Sequence, residues 1–233
     1  MKIHGLQKMT LLDFPGKVAC TVFLGGCDLR CPFCHNSELL DASAPAETDD
    51  AALLAFLEKR TGLLDGVVFT GGEPLLRAEL PELLRRVRAL GYAVKLDTNG
   101  THPERLRRVV EAGLVDYVAM DVKNSPERYG ETVGLADPPL DAIRESVSFL
   151  LSGAVDYEFR TTVVDELHRE EDIRAIADWI RGAQRYYLQC FTDRDTVPFA
   201  GLHAPSEEKM RRLADIARPC AAVFAVRGME GLN

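Results

Sequence analysis

A regular alternation constrains the fold of this chain more than any other feature: short β-rich runs are followed, six times, by segments whose apolar residues recur at helical spacing. The β-rich runs are Val18–Leu24, Gly66–Thr70, Ala93–Asp97, Tyr117–Asp121, Tyr157–Val163 and Tyr186–Phe191, with a trailing run at Ala222–Val226. The helical segments are Asp49–Lys59, Pro81–Leu90, Pro103–Ala112, Asp141–Leu151, Glu170–Ile180 and Ser206–Ala217. In the first of these, Leu53, Leu54 and Leu57 share one face. Pro81 and Pro103 suit first-turn positions, and Gly91 and Gly113 suit helix stops. Strand, helix, strand repetition implies a parallel sheet with right-handed crossovers. Six units are too few to close an eight-stranded barrel, so the pattern predicts an open partial (β/α)6 barrel or a doubly wound sheet.

Length agrees with this reading, because 233 residues is about what six βα units need. The expectation is a single domain over 1–233, with a strand-helix extension from about 185 to 233 and surface loops at 41–47 (DASAPAE) and 137–139 (DPP). A net charge of -8 argues against a nucleic-acid surface, whose phosphates demand clustered Lys and Arg. Arg85, Arg86 and Arg88, like Arg105, Arg107 and Arg108, alternate with Leu or Val on helical patterns and read as solvated faces. Nowhere do 18 apolar residues run together, and the opening MKIHGLQKMTLLDFPGK holds no apolar signal core. The expected protein is soluble and cytoplasmic, with neither nucleic acid nor membrane as a partner, and its six cysteines are read as thiols rather than disulfides.

Both architectures place functional residues at the C-terminal ends of the strands. The first β-rich run ends in Gly25-Gly26-Cys27, and the loop 25–36 that follows carries Cys27, Cys31 and Cys34 in a C-x3-C-x2-C spacing. Three thiolates so close together can converge on one metal centre, zinc or iron-sulfur. Structural zinc needs four protein ligands, and the nearest further donor, His35, is adjacent to Cys34 and poorly placed to close a tetrahedron. A 4Fe-4S cluster on three cysteines leaves one iron for an outside ligand. Cys20, Cys190 and Cys220 lie in or beside strand-like runs and read as buried small hydrophobes.

This loop, with Phe33 directly before its third cysteine, resembles the cluster motif of the radical S-adenosylmethionine (SAM) enzymes. The second strand-like run leads into Gly71-Gly72-Glu73-Pro74, similar to the family's GGEP motif. Paired glycines let a backbone approach a ligand, and Glu73 can accept from an ammonium group. The resemblance implies a partial (β/α)6 barrel holding a 4Fe-4S cluster whose unique iron is chelated by SAM. Reductive cleavage of SAM then releases a 5'-deoxyadenosyl radical that abstracts a hydrogen atom. The third and fourth strand ends, with Asp97, Thr98 and Asn99 in DTNG and Asp121 and Lys123 in D-x-K, resemble the branch that activates glycyl-radical enzymes. By that resemblance Asp97, Thr98 and Asp121 support a site near the SAM carboxylate, Lys123 neutralises it, and Asp97, Asp121 and Thr98 also hold a monovalent cation. Arg160 and Gln189, polar in apolar strands, are expected to serve SAM or a buried network.

Asp13-Phe14-Pro15-Gly16-Lys17 and Cys34-His35-Asn36 are similar to elements of pyruvate formate-lyase activases. The fullest likeness is to the anaerobic ribonucleoside-triphosphate reductase activating proteins, through GLQKMTLLDFPGK, VKLDTNG, VDYVAMDVKN, RTTV and YYLQCF. It implies a glycyl-radical enzyme as partner, with a flavodoxin or ferredoxin as electron donor. No second cysteine cluster follows residue 34, so no auxiliary iron-sulfur domain is expected. The alternatives are a pyruvate formate-lyase-type activase, a small-molecule enzyme resembling the 7-carboxy-7-deazaguanine synthases, and a non-enzymatic electron carrier or zinc-stabilised module.

Overall fold

The computed structural model describes residues 1–229 and 231–232. Its strands are β1 (Lys2–Ile3), β2 (Gly5–Thr10), β3 (Ala19–Leu24), β4 (Thr48–Asp49), β5 (Gly66–Gly71), β6 (Ala93–Thr98), β7 (Tyr117–Asp121), β8 (Asp156–Val163), β9 (Ala183–Cys190) and β10 (Ala221–Arg227). Its helices are α1 (Asp50–Glu58), α2 (Leu80–Ala89), α3 (Pro103–Glu111), α4 (Tyr129–Val133), α5 (Leu140–Leu151), α6 (Glu170–Trp179) and α7 (Glu207–Ala217). The proline and glycine signals act as expected. Pro103 opens α3, Pro81 sits in the first turn of α2, and Gly91 and Gly113 take positive φ just past the helix ends.

The main sheet has the strand order β10-β9-β8-β7-β6-β5-β3-β2. Spatial order follows chain order without a reversal. A doubly wound sheet requires one, so the partial (β/α)6 arrangement is the one observed. Strands β3 and β5, β5 and β6, β8 and β9, and β9 and β10 pair in parallel. The antiparallel edge strand β2, paired with β3, was not legible in the sequence. Gln7, Lys8 and Met9 are exposed, and a strand that buries so little shows no apolar alternation. The short β1, β4 and α4 also went unread, and β1 and β4 pair only with each other.

The chain forms two compact units. The first comprises Met1–Asp28, Glu38–Thr98 and His102–Ala119. Here β3 and β5 are near-continuous apolar runs, as strands covered on both faces must be. The inward stripes of the helices (Leu53 and Leu57; Leu83, Leu84 and Val87; Leu106 and Val109) are buried, each side chain contributing roughly 1.5–3 kcal/mol. Phe14 of the DFPGK segment packs with Ala19, Val68 and Tyr117, and Asp13 accepts a 2.6 Å hydrogen bond from the Thr21 hydroxyl. That segment therefore has a packing role.

The second unit comprises Leu29–Ser37, Asn99–Thr101 and the chain from Met120 onward. In β8 the two faces differ. Tyr157, Phe159, Thr161 and Val163 are buried, whereas Arg160 and Thr162 on the opposite face are half-buried. Tyr157 and Phe159 meet edge-on at 5.1 Å, and Tyr186 of β9 donates to the Thr161 hydroxyl at 2.8 Å. β9, α7 and β10 occupy the expected extension of about 185–233, of which residues 230 and 233 lie outside the described ones. No helix among the described residues is long and apolar enough to cross a membrane.

Candidate functional site

In the first unit the cysteine loop begins where β3 stops. Leu24 and Gly71, the last residues of β3 and β5, are register partners. Beyond them the Gly72 N–H donates to the Leu24 carbonyl at 2.8 Å and the Glu73 N–H to the Gly26 carbonyl at 2.7 Å. From the other side, the Gly26 N–H donates to Leu39 at 2.8 Å and the Cys27 N–H to Leu40 at 3.2 Å. The backbone leading to the first thiol is thus fastened on both sides.

The glycine pair is explained by this fastening, which sharpens the expectation of a ligand approach. A Cβ on Gly72 would lie 2.1 Å from the Gly26 carbonyl oxygen. Gly71 has φ +119°, and a Cβ there would lie 2.4 Å from the Leu24 oxygen. What comes close is the end of β3 at Gly71 and the cysteine loop's own backbone at Gly72. Glu73 is fully buried, and its Oε1 accepts from the Leu75 N–H and from the Thr98 hydroxyl, each at 3.0 Å. It thereby caps the single helical turn that Pro74 opens and ties the end of β5 to the end of β6. Asp97 accepts from the ammonium of the buried Lys95 at 2.6 Å. Two histidines that sequence reasoning missed also belong here. His4 Nδ1 accepts from the Gly25 N–H at 2.9 Å, its ring filling the space a side chain at Gly25 would need, and His102 lies 3.2 Å from the carboxylate of Asp28.

Cys31, Phe33 and Cys34 lie in the second unit, where the Cys34 N–H donates to the Cys31 carbonyl at 3.2 Å. His35, the one neighbouring imidazole, is engaged elsewhere. Its Nε2 lies 2.7 Å from the Thr192 carbonyl, and its ring stacks on Phe191 at 5.6 Å with an interplanar angle of 5°. Ser37 donates to the Thr196 carbonyl. Three cysteines in one loop suit a cluster that keeps one iron for an outside ligand.

At the end of β7, Asp121 accepts from Lys123 Nζ at 2.9 Å and from Arg160 Nε at 2.8 Å. Burial alone would raise the Asp121 pKa, but the charges of Arg160 and Lys123 outweigh it and hold the carboxyl well below the usual carboxylate range. Burial likewise opposes the Lys123 charge, yet Asp121, with Cys31 adding to it, keeps the ammonium above its ordinary value. Lys123 and Arg160 thus bring two cationic groups to the end of β7, chemistry that suits an incoming carboxylate. Phe33 underlies this group, with Lys123 Nζ 5.9 Å from its ring centre. The backbone of Lys123 is pinned as well. Its N–H donates to the buried Tyr129 hydroxyl at 3.2 Å, and its carbonyl accepts from His168 Nε2 at 2.8 Å. His168 Nδ1 accepts from Val164 N–H at 3.1 Å, and burial keeps this imidazole below its ordinary pKa and therefore neutral. Tyr129 and His168 carried no motif by which the sequence would have marked them.

Asn99 accepts from the Thr101 N–H at 3.0 Å and from its hydroxyl at 2.7 Å, so its side chain shapes the turn after β6. Asp97 and Asp121 fall in different units, and each already has a lysine ammonium as counter-charge. A monovalent cation would compete with both lysines. Among the remaining cysteines, Cys20 and Cys220 are buried as expected, whereas Cys190 is only partly buried. Gln189 is half-buried on β9.

Residues 21–180 match the Radical SAM superfamily. A Methanocaldococcus jannaschii protein named as a candidate glycyl-radical enzyme activating enzyme is 31% identical, the match covering 98% of this chain and 97% of that protein. The 7-carboxy-7-deazaguanine synthase of Thermococcus kodakarensis is 28% identical over 72% of each chain, and the pyruvate formate-lyase-activating enzyme of Clostridium pasteurianum 29% over 77% and 76%. In fold, the chain is similar to Streptococcus suis SuiB bound to S-adenosylmethionine, with a TM-score of 0.68 at 15% identity over 90% of this chain and 52% of that one. Family match, parallel strand order and three-cysteine loop agree: the chain belongs to the radical SAM superfamily, whose members use a 4Fe-4S cluster and S-adenosylmethionine.

Proposed function

We propose that this chain is an activase that forms a glycyl radical on anaerobic ribonucleoside-triphosphate reductase, with residues 1–233 acting as one catalytic domain. The observation that carries the reading is the near full-length match to an archaeal protein named for glycyl-radical enzyme activation. The C-x3-C-x2-C spacing of Cys27, Cys31 and Cys34 supports it. The choice of reductase rests on the likeness of the VKLDTNG, VDYVAMDVKN and YYLQCF segments.

When bound, the reduced cluster supplies one electron and SAM the hydrogen-abstracting fragment. The chain's own residues do the rest. Cys27, Cys31 and Cys34 hold the cluster, and the Gly71-Gly72-Glu73-Pro74 turn fixes the backbone before Cys27. Lys123 and Arg160, sharing Asp121, receive the SAM carboxylate, with Phe33 beneath them. Thr98, Asn99 and Asp97 order the end of β6 and the turn after it. The partner glycine loses its Cα hydrogen, and a flavodoxin or ferredoxin returns the electron.

The test is anaerobic reconstitution with SAM and dithionite in the presence of purified anaerobic reductase or pyruvate formate-lyase. The expected result is a glycyl-radical resonance on the reductase that disappears, together with 5'-deoxyadenosine, in Cys31→Ala. Retention of both by Cys31→Ala would sink the assignment, and a signal on the lyase alone would move it to the lyase activases. The deazaguanine synthase relative supports a second reading, in which a small molecule is turned over and neither partner gains a radical.

A further inference from the structure

Within the second unit, the chain that follows Cys34 is tied to a segment far away in sequence. His35 Nε2 meets the Thr192 carbonyl at 2.7 Å across 157 positions, and the Ser37 hydroxyl donates to the Thr196 carbonyl across 159. A carbonyl only accepts, so His35 Nε2 carries a proton and donates it. The ring planes of His35 and Phe191 lie 5° apart, and this stacking holds the imidazole so that its N–H faces one acceptor. The receiving segment is itself held at both ends. Phe191 is buried, and its N–H donates to the carbonyl of Val163, the last residue of β8, at 3.1 Å. At the far end the Asp165 N–H donates to the His203 carbonyl at 2.9 Å, and the His203 N–H donates to Glu166 at 3.0 Å. Residues 192–203 thus form a strap fixed to the end of β8 and to the turn after it, and the limb 34–37 hangs from the strap's first half.

We propose that His35 is a positioning residue for the cluster: by joining the strap it holds Cys34 in place and sets how slowly iron leaves the three-thiol site. This deepens the proposed function and rests on Cys27, Cys31 and Cys34 being the cluster ligands. His35 directly follows one of those thiols, so a shift of its backbone reaches Cys34 through a single planar peptide bond. Ser37 adds a second tie two residues on, which fixes the direction of the limb as well as its position. The Cys34 N–H donates to the Cys31 carbonyl, so the hold extends to a second thiol. Ordering a loop costs conformational entropy, and a limb already tied down has less to lose when its thiols bind. Groups outside a ligand set act on a metal centre in this way, by orienting the residues that bind it.

The test measures iron release from the anaerobically reconstituted protein to a ferrous chelator, and amide hydrogen exchange over residues 31–38 of the cluster-free protein. His35→Phe keeps a ring to stack on Phe191 and removes the donor, whereas His35→Gln keeps a donor and removes the ring. His35→Phe is expected to release iron roughly three- to tenfold faster, the loss of one hydrogen bond, and to exchange faster over 31–38. His35→Gln is expected to restore both readouts to within about twofold of wild type. Ser37→Ala, which removes the second tie, is expected to move both in the direction of His35→Phe, and it decides the matter if His35→Phe does not fold. Unchanged iron release in His35→Phe and Ser37→Ala overturns the inference, even where exchange over the strap rises, because His35 would then serve the strap alone. Release from His35→Gln as fast as from His35→Phe also overturns it, since the donor would not be what holds the limb. Cys34→Ala separates the two levels: if it takes up and keeps iron and sulfide as wild type does, the ligand assignment itself fails.

Discussion

Gly72→Ala should damage the cluster site without touching a ligand. The backbone at Gly72 is not left-handed, so alanine is conformationally allowed and the whole effect is contact. Its Cβ would lie 2.1 Å from the Gly26 carbonyl oxygen and 2.7 Å from the carbon, well inside the 3.0 Å that real Cβ atoms essentially never breach. The obstacle is backbone, so one strand end must withdraw by about 1 Å. Withdrawal stretches the bonds from Glu73 N–H to Gly26 and from Gly72 N–H to Leu24, at 2.7 and 2.8 Å. Losing both costs roughly 1–3 kcal/mol and overpacking about as much again, together about 2–6 kcal/mol. At ~2–4 °C per kcal/mol for a chain of this size, the apoprotein should melt roughly 4–24 °C lower. Cys27 follows Gly26 directly, so iron and sulfide bound per chain after anaerobic reconstitution should fall too. Thermal melting by circular dichroism and iron analysis are the assays. A variant that melts within about 2 °C of wild type and takes up full iron would refute the packing argument. If it also fails to bind SAM, the glycine would serve ligand approach after all.

Two further outcomes follow from the charges and thiols. The folded-state pKa of Asp121 is depressed, so its contribution to stability is present above its unfolded pKa of about 3.9 and is lost as pH falls below it. The melting difference between wild type and Asp121→Asn should therefore be full at pH 7 and shrink below about pH 4 in calorimetry, and a difference independent of pH would contradict the ion-pair account. Burial pushes the Cys20 thiol up to about 12 and Cys220 to about 11, so at pH 8 both are protonated as well as covered. Iodoacetamide on the cluster-free protein should label Cys27 and Cys34 well before Cys20 and Cys220 by peptide mass spectrometry. Early labelling of Cys20 would mean that β3 opens locally.

The candidate site was legible in uneven parts. Cys27, Cys31, Cys34 and the Gly71-Gly72-Glu73-Pro74 run stood out because their chemistry depends on short spacings within one loop or turn. Asp121 and Lys123 were legible from their place at a strand end, and Arg160 from its polarity inside a strand. Their joining into one group was not, because Arg160 meets Asp121 across 39 positions of chain. His4, Tyr129 and His168 were invisible for the same reason. Each acts through hydrogen bonds to backbone groups that no side-chain motif marks: His4 to Gly25, Tyr129 to Lys123, and His168 to Val164 and Lys123. The glycine pair was recognised, but not the Leu24 and Gly26 carbonyls that approach Gly71 and Gly72, because these lie far from them along the chain.

The division has a physical basis. Periodicity of 2 and 3.6, proline and glycine punctuation, and C-x3-C-x2-C spacing are local properties, and with them the chain by itself determined its six βα units, class and three-thiol loop, but not β1, β2, β4 or α4. Strand order, which separated the partial barrel from the doubly wound sheet, depends on which strands hydrogen-bond, and only the tertiary structure decided it. It also decided that His35 turns to Thr192 and Ser37 to Thr196. Such pairings set long-range distances and charges, which no spacing along the chain encodes.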